Sequence, residues 1–387
     1  MKIAKGYQST IQRYELVKDD RAAITELNGN LQEFEQFLVG SLTDLFGDNA
    51  SMCNPSMINS KSKVNRQSSL KVLDFKKLKV ELANSKDINY TCAVLEALRW
   101  RVSKAGSIIQ RREVVIQFSN YDLIDYTFFT TLLEKKSRLV TEHIIALANS
   151  VASDYLGRSY LIENEQLITH LVYILKNEDK ETFIRKNCLG ILQKLSLRKK
   201  PQEILISNDI IKWVVNTLNN EKESLSDYTL EYLTALLLNL SLRTIGKDKL
   251  EEIKFKALNL LLDLLEHPNV DLQSYVNGTL YSLFTRQSIK KLALEMGFDS
   301  KLRDLIADAD EELQKRYEYV LAQLLSSGDD SNMSELNEDE HDVDLTEDED
   351  LASDEEAENA PNVVYDVHGE AILQTFKLEG DEADKVS

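Results

Sequence analysis

The chain has little of what interrupts helices: 4 prolines and 13 glycines among 387 residues. A β-protein full of tight turns draws heavily on both, so the scarcity argues against that class and leaves helices as the expected element. Cysteine is scarcer still. Cys53, Cys92 and Cys188 are odd in number and far apart, which excludes a disulfide framework and suits a reducing compartment. The opening MKIAKGYQST holds no apolar region of a secretory signal. Nothing approaches the about 18–20 uninterrupted apolar residues of a membrane span. Even in the leucine-rich stretch LSDYTLEYLTALLLNLSLR (225–243), the longest apolar run is Ala235–Leu238. With 43% hydrophobic residues a core is affordable, and the expectation is a soluble intracellular helical protein.

Catalytic patterns are also missing. Gly246-Lys247 resembles the end of a phosphate loop, but Ser241 and Asp248 break GxxxxGK[ST] at both diagnostic positions. No GxGxxG, GxSxG or HExxH occurs, and His143, His170, His267, His341 and His368 are scattered rather than clustered as zinc ligands. Asp342 and Asp344 mimic the start of a calcium loop, yet Glu347 stands where glycine is required. The expectation is a non-enzyme with no cofactor and no metal.

The formal charge of −19 is unevenly placed. Sixteen carboxylates and no Lys or Arg lie between Asp329 and Glu358, while residues 360–387 add six acids against two lysines. The remainder is close to neutral. Residues 328–360 therefore read as a disordered acidic tail, too charged and too poor in apolar residues to fold. Thr346 and Ser353 each precede a glutamate by three positions, which makes them candidate sites for an acid-directed kinase. Residues 361–387, containing NVVYDVHGEAILQTFKL, read as a short strand or helix that orders on a partner.

What the chain does have is a period. In 225–243, Leu230, Leu233, Leu237 and Leu240 step by three or four, the stripe of a core-facing helix. Ser226 is placed to cap it, Arg243 to occupy its last turn, and Gly246 to stand where it stops. The string LSLR recurs at 195–198 and 240–243, and the frame aligns Asn149, Lys194, Asn239 and Ser282 at spacings of 45, 45 and 43. A second helical pattern precedes each of the last three frames, at 165–177, 208–220 and 255–268, with a polar link between. A helical period of about 40–47 residues is that of armadillo or HEAT repeats, which must stack to bury their apolar faces. The fold expected is all-α: an armadillo/HEAT-like right-handed α-solenoid over 73–327, with residues 73–104 and 288–327 as its two ends. Ahead of it, Ile24, Leu27, Leu31, Phe34 and Leu38 suggest a coiled-coil segment in 1–47, and the Ser/Asn-rich stretch 48–72 a polar linker.

The strings SDYTLEYLTALLLNLSLRTIGK, SYVNGTLYSLF, GILQKLSLR and VLEALRWRV resemble the armadillo region of a family of LisH-domain-containing armadillo repeat proteins found in basal bodies and cilia. The resemblance runs from about Leu73 to Ser327 and implies a non-enzymatic scaffold in cilium assembly, stability and signalling. It also implies a location at the basal body or centriole and cilium, within the cytoskeleton, and a microtubule-binding partner carrying TOG domains. No LisH module is visible ahead of the coiled-coil segment, so the chain reads as a shortened form or a late-starting gene model. LisH-mediated dimerisation is not carried over, and self-association rests on the weak heptads alone.

Two surfaces are candidates for partners. Asn149 and Asn239, with Lys194 at the same frame position, sit where an inner-helix amide offers both donor and acceptor to an extended peptide. The competing reading is that these side chains satisfy neighbouring backbone, and no Trp precedes either Asn by four positions. Trp100 and Trp213 read as core or cap packing. Lys61, Lys63, Arg66, Lys71, Lys76, Lys77 and Lys79 against Asp74 form a basic cluster. It suits acidic tubulin tails or the chain's own acidic tail, against a plain solvated linker. Nucleic acid is not expected, because no stacking aromatics interleave the cluster. The alternative to a ciliary scaffold is an adaptor binding extended basic peptides in the concave groove.

Overall fold

In the computed structural model, residues 72–326 and 359–378 are described, all within one compact unit, Ser69–Ser387. The heptad segment at 24–38, most of the 48–72 linker, Thr346 and Ser353 lie outside the described residues.

The described chain is a helical array. Helices α1 (Phe75–Asn84) and α2 (Ile88–Ser103) form an incomplete first unit. Five three-helix units follow. They are α3–α5 (Ile108–Asn120, Tyr126–Leu133, Arg138–Ala152) and α6–α8 (Tyr155–Ile162, Glu165–Asn177, Phe183–Leu195). Next come α9–α11 (Lys199–Ser207, Ile210–Glu221, Asp227–Ser241) and α12–α14 (Thr244–Glu252, Lys254–Leu264, Val270–Leu283). The last is α15–α17 (Gln287–Glu295, Phe298–Asp308, Glu311–Leu325). In each unit the third helix packs on the third helix of its neighbours, so α2, α5, α8, α11, α14 and α17 make one continuous inner row.

Local chemistry starts these helices. Asp87, Ser137, Thr182, Ser226, Asn269 and Asp310 each cap an inner helix, their side-chain oxygens accepting from N–H groups of the first turn. Leucine and β-branched residues then bury the inward stripe: Leu230, Leu233, Leu236, Leu237 and Leu240 in α11 are all core.

The short first helices α6, α9, α12 and α15 correct the two-helix reading of the repeat. Helix α11 stops at Ser241, and Arg243 stands at the N-terminal boundary of α12 rather than in the last turn of α11. Gly246 does not terminate a helix; it is the third residue of α12, pressed on the end of α11. A Cβ there would lie 1.9 Å from the Leu240 carbonyl oxygen, and one at Gly157 in α6 would lie 1.8 Å from the Val151 oxygen. These two glycines set how sharply the chain turns between units. A three-helix unit is the armadillo form of the solenoid.

The 45-residue period becomes a set of bonds between neighbouring units. Ser282 Oγ donates to the Ser241 carbonyl at 2.6 Å, and Asn239 Nδ2 to Ser196 Oγ at 2.8 Å. Gln202 Nε2 donates to the Ser196 carbonyl at 2.7 Å and its Oε1 accepts from Arg243 Nε. The far segment is the second correction. Residues 359–378 do not wait for a partner: they lie on α1 and α2 of their own chain, 3₁₀-helical over Gly369–Phe376.

Candidate partner-binding surface

The inner row changes character along its length. In α2 every residue from Thr91 to Arg99 is buried, and in α5 every residue from Glu142 to Ala152. Toward the other end the row opens: Tyr228, Tyr232, Leu238 and Asn239 are half-buried on α11, while Tyr281 on α14 and Tyr319 on α17 are 48% and 69% exposed. Half of the row is covered and half is open.

The C-terminal segment supplies part of the cover. It begins with the Pro361 carbonyl close to His143 of α5, passes Tyr365 against Tyr90 (ring centroids 5.7 Å), and brings His368 within 3.9 Å of Glu96. At Gly369, in the left-handed region with φ of 57°, the chain crosses the face of Trp100, where a Cβ would be 3.5 Å from the ring. Trp100 stands three residues before the end of α2, the place Asn149 holds in α5. Beyond the glycine, Ile372, Leu373 and Phe376 are buried. Glu370 is held by Arg101 through two bonds of 2.6 and 3.0 Å, with Lys377 at 3.2 Å. Burial pushes the Glu370 carboxyl up, but hydrogen bonding and charge from Arg101 and Lys377 outweigh it and hold it below the usual range. An antiparallel bridge, Leu73 with Lys377, closes the contact through Asp74 N–H to the Phe376 carbonyl (2.7 Å) and Leu378 N–H to the Val72 carbonyl (3.1 Å).

The sequence candidates land differently. Asn149 is fully buried; its Nδ2 donates to Asn187 Oδ1 at 2.9 Å, and its Oδ1 accepts from Lys194 Nζ at 2.8 Å. Lys194, 1% exposed, also reaches Ser153 Oγ at 3.0 Å. This buried ammonium replaces lost hydration with contacts that include the Asn149 amide oxygen and the Ser153 hydroxyl. Both residues knit α5 to α8. Asn239 alone of the three stands at the open part of the row, donating to Ser196. Trp213 carries the Arg185 guanidinium 5.2 Å from its ring centroid, and Lys104 lies 3.6 Å from that of Trp100.

Of the basic cluster, Lys61, Lys63, Arg66 and Lys71 lie outside the described residues. Lys79 is paired with Asp125 (2.5 Å), Lys77 donates to the Thr375 carbonyl (2.9 Å) over the Phe376 ring, and Lys76 is exposed. Among the described residues, the cluster meets the chain's own C-terminal segment at Lys77. Sequence reasoning missed the Arg101–Glu370 pair, whose partners are 269 residues apart.

Among the described residues, burial pushes the Cys92 thiol up to about 12 and the Cys188 thiol higher still, so neither is a ready thiolate. Among the described residues no group of three His, Cys, Asp or Glu side chains converges as a metal site, and no helix is long and apolar enough to cross a membrane. The arrangement offers surface complementarity.

Residues 205–325 match the family described as LisH domain-containing protein ARMC9, ARM repeats. The chain is 39% identical over 259 residues to the LisH domain-containing protein ARMC9 of Rattus norvegicus, an alignment covering 66% of this chain and 35% of the relative. Against the Homo sapiens protein of that name the identity is 39%, covering 66% and 31% respectively. The chain thus spans about a third of the length of the curated relatives it matches. Among solved structures, the designed armadillo repeat protein YIII(Dq)4CqI superposes with a TM-score of 0.52 at 20% identity, covering 64% of this chain and 98% of that one. A designed armadillo repeat protein in complex with peptide (KR)4 gives 0.52 at 19% identity, with the same coverage. At these identities the likeness is one of fold, and it is the armadillo solenoid.

Proposed function

Since residues 205–325 belong to the ARM-repeat family of LisH domain-containing protein ARMC9, we propose that this chain is a non-enzymatic scaffold of cilium assembly, ciliary stability and ciliary signalling, stationed at the basal body. Its partners are proteins, foremost a microtubule-binding ciliary protein with TOG domains, with contact to tubulin indirect or weak. The observation that carries the scaffold reading is the inner row, a continuous repeat surface left open at α11, α14 and α17 with Tyr281 and Tyr319 exposed. Exposed aromatics on a rigid face are the usual anchors of protein interfaces, because they bury large area at small entropic cost. The ciliary part rests on the family resemblance alone.

The experiment is fluorescence imaging of the tagged chain beside a centriole marker in ciliated cells. Concentration at basal bodies or along cilia is the expected result, and diffuse signal overturns the placement. The second reading is an adaptor taking extended basic peptides in the concave groove. It is favoured by the designed relative in fold that was solved with (KR)4, and opposed by the engagement of Asn149 and Lys194 with each other. Binding of a (KR)4 peptide that is lost on Asn239→Ala supports this adaptor reading. A scaffold shows no such binding.

A further inference from the structure

We propose that a cavity between the first helices α3 and α6 receives a lysine or arginine side chain from a basic segment of a partner protein. The cavity holds about 800 Å³, within the roughly 300–1,000 Å³ of ordinary ligand pockets. Its walls come from α3, α6, the link after each and the first turn of α7. None comes from the inner row, so the site is separate from the scaffold surface and from the concave groove.

The space exists where small residues face each other in place of larger, interdigitating ones. Ser119 and Ser159 line it from the two helices, and Ser159 Oγ turns back to the Tyr155 carbonyl at 3.0 Å. Tyr160 fixes one corner: its hydroxyl accepts from the Ile124 N–H at 2.6 Å and donates to Asp122 Oδ1 at 3.0 Å. Lys79 ties the same corner to α1 through the Asp122 carbonyl (2.7 Å) and the Asp125 carboxylate (2.5 Å). A pocket already held in shape loses little entropy when it is filled.

The lining selects a cation on an apolar stem. Ile116, Ile124, Leu156 and Leu161 form the apolar wall. Among the described residues that line the cavity, the charged ones are Asp122, Glu163 and Glu165, and none is lysine or arginine. Bases close by are engaged elsewhere: Lys79 with Asp125, Arg111 with Asp154 and Arg112 over the Tyr155 ring. Asp122 is taken up by Tyr160, and Glu165 is shared with Lys200 at 3.2 Å. Glu163, exposed just after α6, is thus the principal counter-charge. Lysine and arginine match this arrangement, because their methylene stems bury on apolar surface while the charged head stays near water. The surface also continues beyond one side chain. Ile109, 70% exposed, stands two turns before Ile116, 44% exposed, on one face of α3. That strip suits the rest of a peptide rather than a small free amine.

The test uses the full chain and a peptide of Ala-Arg repeats ending in photoreactive benzoylphenylalanine, at about 100 μM so that micromolar complexes are populated. Adducts are mapped by mass spectrometry after irradiation and digestion. The expected adducts lie within 109–120 and 155–166, and a peptide with neutral citrulline in place of arginine should not form them. Glu163→Lys together with Glu165→Lys should cut their yield at least about tenfold. The same charge change at exposed positions on other helices, Glu252→Lys with Glu295→Lys, should leave it within about twofold, since distant surface charges are screened. Ser159→Phe, which fills the cavity without altering charge, should abolish the adducts; should it fail to fold, the two charge pairs decide. Adducts confined to the acidic stretch 329–358 or to the inner helices α11 and α14 overturn the proposal. Equal yield from wild type and the Glu163, Glu165 pair overturns it as well.

Discussion

Truncating Phe376 to alanine should release the C-terminal segment as a unit while leaving the solenoid folded. Phe376 is fully buried, under Lys77 and beside Ile372 and Leu373. Removing a buried phenylalanine ring costs about 3–5 kcal/mol where the surroundings cannot collapse. The remaining apolar anchors, Ile372, Leu373 and Val363, contribute about 1.5–3 kcal/mol each before the cost of ordering the backbone. The Arg101–Glu370 pair adds little more, because the Glu370 side chain is 41% exposed and solvent screens it. One lost anchor therefore exceeds what the short segment holds in reserve, and undocking is the cheaper response to a cavity. Amide hydrogen exchange is the assay. Protection across 363–377 should be lost in Phe376→Ala, and α2 should exchange faster at Tyr90, Glu96 and Trp100. Helices α8–α14 should keep their wild-type rates. Unchanged protection in 363–377, or loss throughout the array, would refute the reasoning.

Further expectations concern the joints between units and their charge. Gly246→Ala and Gly157→Ala each drive a Cβ into a backbone oxygen at under 2 Å. Each should lower stability by at least about 2 kcal/mol in urea unfolding, as strain and overpacking do; a change under 0.5 kcal/mol would contradict the close approach. Lys194→Met keeps the apolar stem but leaves Asn149 Oδ1 and Ser153 Oγ short of a donor, a loss of about 1–3 kcal/mol; equal or greater stability would show that the ammonium's desolvation outweighs its bonds. Because the folded-state pKa of Glu370 is depressed, its contribution to docking is present above the ordinary glutamate range near about 4.3 and is lost as pH falls through the lowered value. Exchange protection of 363–377 measured from pH 6 down to 3 should follow that course, and Glu370→Gln should flatten it.

The solenoid was legible because its signal is periodic. A frame recurring every 45 residues in Asn149, Lys194 and Asn239, with leucines at three and four, is a statement about stacked helices that needs no long-range knowledge. The short first helices escaped because eight or nine residues such as TIGKDKLEE carry too few turns for a stripe to show, and α12 is held by packing on α11 rather than by its own propensity. Gly246 misled for a related reason: glycine near a helix end reads as a terminator, whereas here its missing Cβ admits the neighbouring backbone. The stretch 361–387 read as something that orders on a partner, whereas its described part, up to Leu378, docks within the chain. That its receptor is α2 of the same chain was not readable, since Arg101 and Glu370 become neighbours only after the whole array is built. Burial likewise separated Asn149 and Lys194 from Asn239, although the three share one frame position.

The central claim, that this solenoid serves a ciliary scaffold through the open half of its inner row, is tested most directly by localisation of paired surface variants. The tagged chain carrying Tyr281→Glu and Tyr319→Glu is imaged beside a centriole marker. The control is Tyr173→Glu, which alters an equally exposed aromatic on the outer helix α7. The account predicts that the double variant loses its concentration at basal bodies while the control keeps it. Equal retention by both, or equal loss from both, would contradict it.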